Sequence, residues 1–331
     1  MILMPKYSVI IPVYNRPQEI NELLYSLTLV DYTDFEVIVV EDGSQLSAKD
    51  ICLNYKDKLT LRYKYQDNTG PGPARNTGAK LAQGDYFLFF DSDCLIPLEY
   101  FKRVDEKLDH VDCFGGPDMA HPSFNSIQKA ISYSMTAALT TGGIRGGKKK
   151  LDKFYPRSFN MGIKKEVFRA LSGFAKLRFG EDLDFSMRIL EAGYTTKLII
   201  EAGVYHKRRN NFRSFFKQVY NSGIARINLN YRHPGSLKMV HALPALFACG
   251  YIITLLAGVL FPILYLLALV PWLLFFTDAS FKTKSIKVGL AASLAAMVQI
   301  IGYGLGFISA TIKRKLLKSR EFTAYEKNFY D

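Results

Sequence analysis

The sequence predicts an α/β domain on a largely parallel sheet, followed by helices that cross a membrane. Three observations predict it. Up to about Ile200, short β-branched or aromatic runs alternate with helix-like segments. Several of those runs are apolar from end to end, as strands covered on both faces must be. Near the C-terminus, Met239–Phe276 carries no charged residue apart from a possible His241, and Val288–Ile312 carries none.

The elements follow in order. YSVIIPVYN (Tyr7–Asn15) opens as a buried strand, Gln18–Thr28 places Ile20, Leu23, Leu24 and Leu27 at helical spacing, and FEVIVVEDGS (Phe35–Ser44) is a second buried strand, completing a βαβ unit. LRYKYQ (Leu61–Gln66) reads as a further strand. Pro73 suits the first turn of a helix that runs to about Ala82 and stops before Gly84, and DYFLFF (Asp85–Phe90) is the next buried strand. SMRILEAGY reads as a helix closed by Gly193, and KLIIEAGVY as a strand that ends at His206. In open α/β sheets ligands bind beyond the carboxyl ends of the strands, where Asn15, Asp42 and Asp91 all arrive.

Each C-terminal apolar stretch exceeds the roughly 20 residues that span a bilayer. Pro262 can divide the first into two short spans, so the count is two or three, and the lysines at 282, 284 and 287 and the basic tail do not settle the topology. Between Phe212 and Tyr231 the apolar residues fall near one helical face and Arg213, Lys217 and Arg226 elsewhere, which fits a helix lying in the membrane surface or one packed on a core. The expected organisation is a catalytic domain over 1–206, a basic interfacial segment over 207–238, a membrane region over 239–312 and a basic tail over 313–331.

The formal charge of +13 calls for an anionic partner, and because many of the basic residues sit beside the spans, membrane lipids and nucleotides fit better than nucleic acid. The four cysteines are scattered without CxxC spacing, which signals neither a zinc site nor a disulfide framework and suits a reducing compartment. Pro5 and Lys6 break the N-terminal apolar residues before a signal sequence can form, so the first domain is expected in the cytosol.

The chemistry concentrates at two acidic clusters. In an extended DSD segment Asp91 and Asp93 project to the same side, where two oxygen ligands can meet one divalent cation and, through it, a diphosphate. A strand that merely ends in turn-forming residues explains a lone DxD; its place after a buried strand favours the metal. In GEDLDF, Asp184 suits the first turn of a helix. Glu181 and Asp182 together exceed what capping requires, and a carboxylate there can act as a general base toward a hydroxyl. GPGPARNTG lacks both the Walker ending and GxGxxG spacing, which argues against P-loop and dinucleotide-binding readings.

From Tyr7 to about Tyr231 seven motifs stand in order: SVIIPVYNR, VIVVEDGS, GPGPARNTG, DSD, SFNMGIKKEVF, GFAKLRFGEDLDFSMRI and VYHKRR. In these motifs and their order the chain resembles the family 2 glycosyltransferases of the GT-A fold. Ser222–Phe247 extends it toward membrane-anchored exopolysaccharide glucosyltransferases of the succinoglycan kind. The resemblance implies that Pro12, Val13 and Tyr14 line the uracil site with Asp42, and that Arg75 helps to hold the nucleotide. Asp91 and Asp93 match the metal and diphosphate motif, and His206 a position that often completes it, with Mn²⁺ or Mg²⁺ as the ion. Asp182 matches the catalytic base, Glu181 its neighbour at the acceptor edge, and Asn160 a contact to donor sugar or acceptor. Cys94 stands where an acid is common. FKQVYNSGIAR lacks the QxxRW motif of processive synthases, so a single sugar addition is implied.

The implied activity is inverting, metal-dependent transfer from a nucleotide sugar, a UDP-sugar by preference, to a lipid-linked glycan acceptor at the cytoplasmic membrane. Two alternatives stay open. One is a membrane-anchored nucleotidyl or phosphoryl transferase, which also uses paired aspartates and a metal. The other is a non-catalytic nucleotide-sugar-binding subunit of a membrane assembly.

Overall fold

The computed structural model of the chain describes residues 6–108, 111–141, 154–177, 179–207 and 209–320. The basic segment Gly142–Lys150 and the end of the tail lie outside the described residues. The chain forms two compact units, one made of residues 1–121 and 150–206, the other of 122–149 and most of the chain from 207 onward. One division thus falls after residue 206, while 122–149 groups with the second unit although it lies within the first stretch of sequence.

In the first unit the strands are β1 (Tyr7–Val13), β2 (Phe35–Asp42), β3 (Leu61–Gln66), β4 (Tyr86–Phe90), β5 (Cys94–Leu95), β6 (Cys113–Gly115), β7 (Asp118–Met119), β8 (Asn160–Lys164), β9 (Thr196–Leu198) and β10 (Val204–His206). Its helices are α1 (Pro17–Leu29), α2 (Lys49–Leu53), α3 (Pro71–Leu81) and α4 (Tyr100–Asp105), with α5 (Ser126–Thr136) and α6 (Ala138–Thr141) inserted from the second unit before α7 (Lys165–Ala170) and α8 (Glu181–Glu191). Seven strands form one sheet in the order β3-β2-β1-β4-β8-β6-β9, and β5-β10-β7 form a small second one. The four strands of the β3–β4 side run parallel, while β8 is antiparallel to both β4 and β6.

The apolar runs are continuous because both faces are covered. Val9, Ile11 and Val13 of β1 pack with Ile20, Leu23 and Leu27 of α1, whereas Ile10, Ile38 and Val40 pack on the other face with Ala74 and Ala79 of α3 and Phe185 of α8. Burying these faces fixes the register of each strand, and therefore the depth at which its last residue emerges. KLIIEAGVY departs from the expected single strand: a turn over residues 199–203 divides it into β9 in the large sheet and β10 in the small one. Asn160 explains the break, because its amide holds the carbonyl of Ala202 at 2.8 Å.

The second unit holds α9 (Phe212–Arg232), α10 (Leu243–Ala257), α11 (Leu264–Thr283) and α12 (Ile286–Thr311). Three helical segments are long and apolar enough to cross a membrane: Met239–Ala257, Leu264–Thr283 and Ile286–Leu316. The break between the first two falls around Pro262, where the sequence placed a turn.

Candidate active site

The site grows from the carboxyl ends of β1, β2 and β4. Register sets Pro12 beside Val40 and Val13 beside Glu41, so the residues expected at the base of a nucleotide stand next to the end of β2. Tyr14 is half-buried just beyond β1. Asn15 has φ 52°, a left-handed conformation that Asn tolerates well, and its side chain accepts from the amides of Gln45 and Leu46, which pins the loop after β2. Asp42 is buried, and its carboxylate accepts from the amides of Thr69 (3.0 Å) and Gly70 (2.8 Å) and from Gln66 Nε2 (2.7 Å). This fixes the loop that introduces α3, with Pro71 at its first turn and Arg75 one turn further on.

Arg75 is almost fully buried and links the two acidic clusters. One terminal nitrogen donates to Asp91 Oδ1 at 2.6 Å and the other to Glu181 Oε1 at 3.0 Å, while the guanidinium lies over the Phe174 ring. Asp91 follows β4 directly, and Asp93 turns toward the small sheet. There β10 pairs with β5, setting His206 opposite Cys94, and with β7 on its other side, which carries Asp118. His206 Nε2 stands 3.1 Å from Asp93 Oδ1 and its Nδ1 3.6 Å from Asp118 Oδ2, and the ring stacks on Phe159. Burial disfavours the imidazolium, but Asp93 and Asp118 outweigh it and push His206 up to about 10. Arg16 also pairs with Asp93.

Ligand atoms of Asp93, Cys94 and His206 lie within 4.8 Å of one another, so this corner can hold a cation. The Asp93 carboxylate suits Mn²⁺ or Mg²⁺, whereas His206, held as an imidazolium by Asp93 and Asp118, would have to give up its proton to join as a ligand. Cys94 is fully buried, and burial first and the Asp93 charge second push its thiol well above the usual range.

Glu181 and Asp182 open α8, behind Gly180 at φ 83°. Both are buried, and a different arginine answers each. Glu181 is bound by Arg75, yet burial and then the neighbouring Asp182 push it up to about 7. Asp182 accepts from Arg157 Nε at 2.5 Å and from the Leu183 amide at 2.8 Å; burial acts to raise it, but Arg157 and then Arg75 hold it below the ordinary carboxylate value. Asp184 lies in the first turn of α8, as the sequence suggested. It is fully buried and paired with Arg188, whose other nitrogens hold the carbonyls of Leu171 and Gly173.

Arg75 joins Asp91 to Glu181, beside Asp182, while His206 meets Asp93 two residues past Asp91, and Asp42 anchors the loop that introduces Arg75. Asn160 is placed differently from the expectation of a sugar contact. It is 1% exposed, its Oδ1 accepts from Tyr100 and its Nδ2 donates to Ala202, so its amide is used within the protein. Sequence reasoning missed Arg16, Asp118 and Arg157. Arg16 and Arg157 lie inside or beside motifs it had already marked, at the end of SVIIPVYNR and just ahead of SFNMG, whereas nothing around Asp118 distinguished it.

Comparison with known proteins identifies the framework. A model of glycosyl transferase family 2 matches residues 8–172, and one of glycosyl transferase family group 2 matches residues 153–282. An uncharacterized glycosyltransferase of Haemophilus influenzae is 30% identical over 217 residues, which cover 62% of this chain and 70% of that protein. The chain belongs to glycosyltransferase family 2. The two family models between them include every acid described above. The poly(ribitol-phosphate) β-N-acetylglucosaminyltransferase TarS of Staphylococcus aureus is 43% identical over 103 residues, 30% of this chain but only 18% of that much longer protein. Among solved structures, the mannosyltransferase PcManGT of Pyrobaculum calidifontis, in complex with GDP-Man and Mn²⁺, superimposes with a TM-score of 0.58 at 18% identity over 96% of this chain and 89% of its own. A crystal structure of S. aureus TarS in complex with UDP-GlcNAc gives 0.50 at 24% identity over 67% of each chain. At these identities the structures establish the GT-A fold of this family 2 glycosyltransferase.

Proposed function

We propose that this family 2 glycosyltransferase works with inversion and with a divalent cation, moving a sugar from a nucleoside diphosphate sugar, most simply a UDP-sugar, to a hydroxyl of a lipid-linked glycan at the cytoplasmic face of a membrane. The observation that carries the reading is Arg75, a single buried guanidinium bonded to both Asp91 and Glu181. It brings the strand-end acids suited to a cation and diphosphate within one side chain of the helix-start acids suited to proton transfer.

Asp42, with Pro12, Val13 and Tyr14, would receive the base. Asp91, Asp93 and His206 would hold Mn²⁺ or Mg²⁺, which when bound offsets charge on the leaving diphosphate. Asp182 takes the proton of the acceptor hydroxyl as that oxygen bonds to the anomeric carbon. The bond from that carbon to the diphosphate oxygen breaks, and its electron pair leaves with the nucleoside diphosphate. Attack from the face opposite the leaving group inverts the anomeric centre without a covalent intermediate. The three apolar helical segments support a membrane setting, and that setting supports a lipid-linked acceptor.

The test is nucleoside diphosphate release by detergent-purified protein across a panel of nucleotide sugars, with lipid-linked and soluble acceptors and with Mn²⁺, Mg²⁺ or a chelator. One UDP-sugar should be consumed, the chelator should abolish turnover, and Asp182→Asn should lower kcat by roughly 100- to 10,000-fold, the usual worth of a general base. Full activity in Asp182→Asn would reject Asp182 as the base. Equal use of soluble sugars would reject the lipid-linked acceptor.

A further inference from the structure

Asp182 and Ser186 stand one turn apart on α8, and both grip the segment that leads into β8. Ser186 Oγ donates to the carbonyl of Pro156 at 2.5 Å, and the next residue, Arg157, donates from Nε to Asp182 Oδ2 at 2.5 Å. The same segment is fixed on either side. Thr196 Oγ1 donates to the Phe154 carbonyl at 2.8 Å, and the Asn160 amide donates to the Arg157 carbonyl at 3.0 Å. The guanidinium therefore arrives from an anchored backbone. With side-chain exposures of 34% for Arg157 and 12% for Asp182, the pair is sheltered but reachable.

We propose that Arg157 is a positioning residue for the transfer reaction, aiming Asp182 and keeping that carboxylate, in preference to its neighbour Glu181, free of a proton. The inference rests on the reading of Asp182 as the base. Two adjacent buried carboxylates raise each other's proton affinity, and without a bias they share a proton between them. Here the bias comes from which arginine meets which acid. The charged groups that bear on Asp182 are Glu181 on its own helix, Arg75 from α3 and Arg157 from the segment before β8. Among the described residues Arg75 is bonded to Glu181 and Asp91, and Arg157 is the charged group bonded to Asp182. The directions agree: Glu181 rises and Asp182 falls.

The consequence has a definite sign. Removing the Arg157 charge raises the proton affinity of Asp182, so activity that needs its carboxylate is lost at low pH and returns at high pH. The experiment compares Arg157→Gln, Arg157→Lys, Asp182→Asn and the Arg157→Gln/Asp182→Asn double variant as full chains in detergent. UDP binding by calorimetry serves as the check of folding, and kcat and KM are read from pH 5 to 9. In Arg157→Gln we expect wild-type UDP binding and donor KM, an acid limb of kcat moved up by about one pH unit, and therefore about a tenfold loss near pH 6 that recovers by pH 8.5. Arg157→Lys should restore part of the shift, and Arg157→Gln should cost nothing further on top of Asp182→Asn. A wild-type pH profile in Arg157→Gln beside an inactive Asp182→Asn would overturn the inference alone, as would a change confined to KM. Should Arg157→Gln fail the UDP check, the Arg157→Lys profile decides, with an unmoved acid limb overturning the inference. Wild-type activity in Asp182→Asn would overturn the base reading and this inference with it.

Discussion

Among single residues, the acid that the sequence did not mark is as informative as those it did. Glu36 lies second in the apolar run FEVIVV, at the end of the sheet remote from the catalytic acids, and is 2% exposed. Its carboxylate accepts from Ser8 Oγ at 2.6 Å, from the Gln83 amide at 2.6 Å and from Arg62, so it ties the starts of β1 and β4 to β2. Burial opposes its ionisation, but Ser8, Gln83 and Arg62 together hold it below the ordinary carboxylate value. A carboxylate lowered in the folded state adds stability that is fully present above its unfolded value of about 4.3 and is lost as pH falls through the folded value. Glu36→Gln should therefore lower stability by about 1–3 kcal/mol at pH 7, because an amide cannot accept all three donors. The gap between variant and wild type, measured by thermal unfolding in detergent, should narrow as the pH approaches 4. A constant gap would show that the loss is one of packing alone. Asp42 and Asp182 obey the same rule of satisfied burial, but their donors sit at the ligand-binding end of the sheet. The sequence could mark those two by their place at an element end; Glu36 sits inside a strand, where only its neighbours reveal its use.

At the scale of elements, α12 organises the second unit. It packs against α5, α9, α10 and α11, and its window of greatest hydropathy is 50% buried, against 11% and 17% for the other two apolar segments. Small residues make the close approaches. A side chain added at Gly306 would lie 2.0 Å from the carbonyl oxygen of Tyr220, and one at Gly223 would lie 2.2 Å from that of Tyr303, so α9 and α12 cross backbone to backbone. Phe215, Val219, Ile224 and Ile227 of α9 are buried within the unit, so this face of the helix is packed against its neighbours. Gly306→Leu should separate the pair and lower the melting temperature in detergent, with a loss of about 1–3 kcal/mol or more, as overpacking costs in any dense interior. An unchanged melting temperature would mean that α9 does not depend on α12. The hydrophobic face of α9 was legible, but amphipathicity does not say what covers a face, and the partner lies some eighty residues further along the chain.

For the whole molecule, two apolar helices and the turn between them leave a surface that water does not tolerate. Leu246, Ile253, Leu256, Val259, Leu260, Leu266 and Leu273 are all exposed, a far larger apolar area than a soluble chain presents. The full chain should remain in the membrane fraction after alkaline carbonate extraction and require detergent for release. Recovery in the aqueous supernatant would refute a spanning arrangement. The division into units adds a second expectation. Because α5 is threaded between β7 and β8 yet buries Ala130, Ile131 and Tyr133 with residues of the second unit, a fragment ending at residue 206 strips those side chains of their cover. That fragment should aggregate, and replacing 122–149 with a short polar linker should return it to solution, as size-exclusion chromatography would show.

The sequence by itself determined the α/β class, the order of the early strands, the apolar helices and the positions of the acidic clusters, because each is written in short-range pattern: continuous apolar runs, helical spacing, and polar residues where a buried strand must end. Tertiary structure alone decided which groups meet. The pairings of Arg75 with Asp91 and Glu181, of Arg157 with Asp182, and of His206 with Asp93 and Asp118 join residues from 16 to 113 positions apart, and no local pattern encodes them. Asn160 shows the same limit from the other side, since its motif suggested a ligand contact and the fold used its amide to hold a turn. Periodicity reports whether a residue is buried; only the packed sheet and its two layers of helices fix what it is buried against.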